Sequence, residues 1–130
     1  SAAHDLRAPD PGEVRAAAER PVPAARRLNT TIGVIATDAA LTKAQCRRVA
    51  MAAHDGLARA VRPAHTLYDG DTVFALATGR GGVPDGPGGL NELCAAAADV
   101  LERAIVRGVL EATTVAGVTS YRDRYPSALA

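Results

Sequence analysis

Two short apolar runs, TIGVIAT over residues 31–37 and TVFALAT over residues 72–78, decide the architecture. Each is nearly all apolar and partly β-branched, which predicts a strand covered on both faces. The stretch between them has the opposite character. Asp38 to Leu41 reads as a turn, and Thr42 with Gln45 three residues on forms a capping box, so a helix starts there. Along it Cys46, Val49, Ala50, Ala53, Leu57, Ala60 and Val61 recur at three- and four-residue steps. Lys43, Arg47, Arg48, Asp55, Arg59 and Arg62 take much of the remaining surface, and Pro63 ends the helix.

After the second strand, GRGGVPDGPGG (residues 79–89) predicts a long flexible loop. It resembles a phosphate loop in composition but lacks GxxxxGK[ST] and the placement of GxGxxG. A second helix is expected from about residue 91 to about residue 112. Asn91 is its N-cap, and Leu93, Ala97, Leu101, Ala104, Ile105 and Val109 form its buried stripe. Residues 113–130 are a weakly patterned tail. At the other end, APDPGEVRAAAERPVPAARR has four prolines and no Ile, Phe or Tyr. Residues 1–28 therefore read as a solvated, flexible linker, in which a helix over Gly12 to Arg20 would be marginal alone. The fold class is α/β, in the order β-α-β-α, with its core in residues 29–112. Two strands make no independent sheet. The chain thus reads as an incomplete half that needs a missing N-terminal segment or another subunit, and the start at Ser1 without a methionine fits a fragment or a trimmed product.

Apolar residues make up 48% of the 130 residues and aromatics 3%, so the core is built from Ala, Val, Leu and Ile. Fifteen basic against 14 acidic residues, a net charge of +1, argue against a nucleic-acid or polyanion binder. Cys46 and Cys94 have no CxxC or His/Cys cluster around them, and three scattered histidines make no metal site; no metal and no cofactor are expected. Two free thiols suit a reducing cytoplasm. No apolar run approaches the ~18 residues of a membrane span, and no signal-peptide core is present.

Chemistry concentrates at RRLNTTIGVIATDAAL, residues 26–41. Asn29-Thr30-Thr31 can be a turn, the start of a strand, or a bond meant to be cut. An N-terminal nucleophile needs a Thr, Ser or Cys at a new chain end, the freed α-amino group as base, and rigid support for both. The reference pKa of that amine, about 7.7–8.0, makes it a competent base near neutral pH. Thr30, after a linker and before a buried strand, meets those conditions, and Thr31 is the alternative one residue on. Tyr68-Asp69-Gly70-Asp71, ahead of the second strand, offers two carboxylates that could bind an ammonium and a hydroxyl; it is equally a DG turn. His65 lies in the loop before that segment and could line a pocket. His54, beside Asp55, reads as a hydrogen-bonded helix histidine.

The segment NTTIGVIATDAALTKAQCRRVAMAAHDGLARAVRPAHTLYDGDTVFALATG closely resembles the β-subunit start of the family of L-aminopeptidase/D-amino-acid esterases and nylon-oligomer hydrolases. The resemblance runs from about Leu28 to Gly79 and more loosely to about Val109, with no useful match in residues 1–27. It implies a four-layer α/β/β/α fold, of which this chain supplies part, and a self-cleaving hydrolase. It implies cleavage between Asn29 and Thr30, with Thr30 as the catalytic nucleophile and Asp69 and Asp71 orienting and polarising it. Thr and Asp-Gly-Asp favour the nylon-hydrolase branch over the aminopeptidase branch, which has Ser as nucleophile and a Ser/Glu pair. The oxyanion-hole Asn, and an assisting Lys or Tyr, are implied to come from the segment before the junction. Residues 1–28 do not supply them, so the chain alone is expected to be inactive. The expected partners are a small peptide or amide substrate, the N-terminal segment of the same protein, and further copies in a homo-oligomer. Two other readings stand beside this one: an acyltransferase resembling the ornithine acetyltransferases, and a non-catalytic assembly module.

Overall fold

The computed structural model describes residues 6–19 and 30–129. The chain divides into two compact units, residues 26–105 and residues 1–25 with 106–130. The elements in chain order are α1 (Pro11–Glu19), β1 (Ile32–Thr37), α2 (Lys43–Ala60), β2 (Thr72–Ala77), α3 (Gly86–Glu111), α4 (Tyr121–Arg124) and a 3₁₀ turn at Pro126–Leu129. The chain is mixed α/β, and the two strands among the described residues fit a partial α/β domain.

In the unit of residues 26–105, β1 and β2 run parallel, in the register Ile32 opposite Thr72 through Thr37 opposite Ala77. A parallel pair needs a crossover, which α2 provides. The predicted capping box is in place: Gln45 N–H donates to the Thr42 hydroxyl at 3.3 Å, and Thr42 N–H donates to Gln45 Oε1 at 2.8 Å. The core lies on one face of the sheet, where Ile35 and Val73 meet Val49, Ala53 and Leu57 of α2 and Cys94, Ala97 and Leu101 of α3. Helix α2 and α3 touch through Gly56, where an added Cβ would stand 2.0 Å from the carbonyl oxygen of Ala98. Neither cysteine is in a disulfide; Cys94 is buried and Cys46 half-buried.

Three expectations need correction. The strands are covered on one face only: Ile32, Val34, Phe74 and Leu76 are 56–71% exposed on the other. A continuous apolar run reads as burial on both sides, and within this chain the helices supply one layer. The expected loop through Gly89 is shorter, because α3 begins at Gly86 rather than near Asn91. Pro87 in its first turn has its φ preset for a helix and loses no N–H bond there. Asn91 is consequently an exposed residue inside the helix. Among the described residues no helix is long and apolar enough to cross a membrane.

In the other unit, Asp10 accepts from the Gly12 N–H at 2.7 Å, and Pro11 opens α1. Helix α1 buries no residue. Its Glu13 carboxylate instead accepts from the Ser127 hydroxyl at 2.6 Å and the Ser127 N–H at 3.2 Å. That hydroxyl accepts from the Asp10 N–H at 2.8 Å. Where the sequence reads as a linker with a short marginal helix, a nine-residue helix is tied to the chain's last turn.

Candidate active site

The parallel register fixes what lies at the beginning of the two strands. Continued back from Ile32 opposite Thr72, it brings Thr31 beside Asp71 and Thr30 beside Gly70. The Thr72 N–H donates to the Thr31 carbonyl at 2.9 Å, which holds the ladder closed up to that point. Thr30 is exposed, and its hydroxyl oxygen packs against Gly70: an added Cβ there would stand 2.9 Å from Thr30 Oγ1. The glycine of the Asp-Gly-Asp segment is thus the floor under the Thr30 hydroxyl, and any side chain would displace it.

The two aspartates flanking that glycine have different surroundings. Asp71 is half-buried as a residue, with its side chain 7% exposed. Its Oδ1 accepts from the Thr31 N–H at 3.0 Å, which pins the backbone one residue after Thr30. Its Oδ2 lies 3.1 Å from Nδ1 of His65. A carboxylate this deeply buried is costly unless paired, and the amide and the imidazole are its partners. Asp69 is turned into its own loop. Its Oδ2 accepts from the Thr66 N–H at 2.7 Å while the Asp69 N–H donates to the Thr66 carbonyl at 3.1 Å. This reciprocal pair closes a four-residue turn over residues 66–69, just ahead of the Asp-Gly step. Asp71 is therefore brought to the Thr31 amide, next to Thr30, while Asp69 bonds within its own loop. Asn29 lies outside the described residues, and Thr31 has both its N–H and its carbonyl engaged with the second strand segment.

Sequence reading gave His65 no definite partner. It sits at φ 56°, a left-handed conformation uncommon outside glycine but one that histidine, like asparagine, adopts more readily than most residues, and its ring faces Asp71. His54 of α2 lies behind it, with ring centroids 4.9 Å apart and planes tilted by 53°. The signal available in the sequence was only a histidine six residues ahead of a buried aspartate, and that spacing has meaning only once the loop is closed. A groove of about 480 Å³ lined by Ala40, Leu41, Thr42, Gln45, Ala77, Thr78, Gly79 and Val83 lies at the opposite ends of the strands, away from Thr30.

Residues 5–122 match the family model for Peptidase family S58. An uncharacterized aminopeptidase of Mycobacterium tuberculosis is 52% identical over 136 residues, covering 95% of this chain and 40% of its own length. One of Mycobacterium leprae is 50% identical over 133 residues, with 95% of this chain and 36% of its own length covered. The 6-aminohexanoate-oligomer endohydrolase of Paenarthrobacter ureafaciens is 35% identical over 71 residues, covering 55% of this chain and 20% of its own length. This chain thus spans about two fifths of the length of the mycobacterial relatives. The family match also starts well before Leu28 and ends beyond Val109, so it is wider than the resemblance read from the sequence.

Proposed function

The chain belongs to peptidase family S58, and from that premise we propose that it is the nucleophile-bearing part of a self-processing amidohydrolase that acts on small peptides or amide oligomers. The observation that carries this reading is the packing of the Thr30 hydroxyl against Gly70, with the next amide held by buried Asp71. A nucleophile must be aimed before it can react, and here two adjacent strand ends aim one.

In the processing step the Thr30 hydroxyl oxygen adds to the carbonyl carbon of Asn29. The Asn29–Thr30 C–N bond breaks, and the proton lost from the hydroxyl ends on the Thr30 nitrogen. The ester so formed is opened by water, leaving an Asn29 carboxylate and a free Thr30 amine. In turnover that amine takes the proton of its own hydroxyl as the oxygen attacks a substrate amide carbonyl. The oxyanion then formed needs donors from the segment before the junction; losing one such donor costs about 10²–10³ in rate.

The test is made on the full-length protein. Intact-mass spectrometry should find a fragment whose first residue is Thr30, and Thr30→Ala should abolish both that fragment and amide hydrolysis. An intact, fully active wild type would refute the reading. Processing followed by acyl transfer from acetylornithine to glutamate, without hydrolysis of peptide amides, would move the protein to the acyltransferase reading.

A further inference from the structure

We infer that His65 is a positioning residue for the Thr30 nucleophile, acting through Asp71, with His54 as the support of its ring. This rests on the reading of Thr30 as the residue that cleaves its own peptide bond. Four observations carry it. Asp71 is nearly buried, and one of its oxygens is committed to the Thr31 N–H, so its orientation sets where the backbone next to Thr30 lies. Nδ1 of His65 is 3.1 Å from its other oxygen. His65 holds that place with a left-handed backbone, φ 56°, which histidine, asparagine and glycine tolerate better than most residues. The His54 ring, held on a packed helix, stands 4.9 Å behind it and limits its rotation.

The order of contacts is therefore His54 to His65, His65 to Asp71, Asp71 to the Thr31 amide, and from there to Thr30. Without the imidazole, the carboxylate keeps, among the described residues, the Thr31 amide as its donor and is freer to rotate away from it. The backbone beside Thr30 is then less firmly held, and small errors in aiming a nucleophile are expensive in rate.

The backbone conformation supplies the means to separate side chain from main chain. Asparagine and glycine both tolerate φ 56°. Asparagine places an amide nitrogen near where Nδ1 stands, whereas glycine supplies no donor. Processing of the Asn29–Thr30 bond is followed in the freshly synthesised full-length protein, by intact mass against time. His65→Gly should slow the first-order rate by about tenfold or more, and His65→Asn should restore most of it. In an Asp71→Asn background His65→Gly should add little, because both changes act on the same contact. Thermal melting of each variant, made in a Thr30→Ala background, checks that the fold is retained.

Equal wild-type rates for His65→Gly and His65→Asn, with the Thr30 fragment still formed, would overturn the role of His65 and leave the proposed function standing. So would equal slowing of both with unchanged melting, or full additivity with Asp71→Asn. A wild type that forms no fragment at Thr30 would overturn both.

Discussion

Gly56 illustrates how a single residue sets the spacing of the core. It lies inside α2, where alanine would ordinarily be favoured by up to about 1 kcal/mol. Its missing Cβ is occupied by the main chain of α3, with the Ala98 oxygen 2.0 Å from where that carbon would be. The obstacle is backbone and cannot swing aside. Overpacking of this kind costs about 1–3 kcal/mol, so it outweighs propensity. Gly56→Ala is expected to destabilise the fold by an amount at or above the upper end of that range, read as a lower urea midpoint. At Gly70 the neighbour is the Thr30 hydroxyl, a side-chain atom, so a Cβ there would displace that hydroxyl rather than be barred by the main chain. In neither place is the φ unusual.

Among the elements, the short helix α4 depends on polar contacts. Ser120 caps it, accepting from the Asp123 N–H at 3.2 Å, and Asp123 in turn accepts from the Ser120 hydroxyl at 3.0 Å and from the Thr114 hydroxyl. The Thr114 hydroxyl bond, with that of Ser120, holds the Asp123 carboxyl below its ordinary value of 3.8. A carboxyl whose folded value is depressed stabilises the fold above its unfolded value and loses that contribution as pH falls through the folded one. The amides of residues 120–125 should therefore lose hydrogen-exchange protection on acidification below about pH 4. Asp123→Asn should remove most of that pH dependence.

At the scale of the whole molecule, the sheet is unfinished. Its helix-covered face is a packed core, whereas Ile32, Val34, Phe74 and Leu76 form a contiguous apolar face open to solvent. Exposed apolar faces of this kind mark a surface built to be covered. The 130-residue chain should bind an apolar fluorescent dye there. The pair Val34→Thr and Phe74→Thr should reduce that binding while changing the chain's own stability by no more than about 0.5 kcal/mol, because these side chains bury little within it. A large loss of stability would show that the face is already engaged.

The β-α-β order, the capping box at Thr42, the buried stripe of α2 and the partial character of the domain were all readable from the sequence. Each depends on residues close together in the chain, through spacing, caps and the length of an apolar run. The nearness of Thr30 to the Asp-Gly-Asp segment was also readable, because a parallel crossover returns the second strand beside the first. Which face of the strands would be covered was decided in three dimensions, since a run apolar on both sides does not say where the second layer comes from. So were the different orientations of Asp69 and Asp71, one closing its own turn and the other pinning the Thr31 amide. His65 was decided there too: its contact with Asp71 goes with a left-handed backbone and with the His54 ring of the preceding helix packed against it. Local patterns fix elements and their order; the partners of a buried charge are fixed by whatever the packed fold brings within 3 or 4 Å of it.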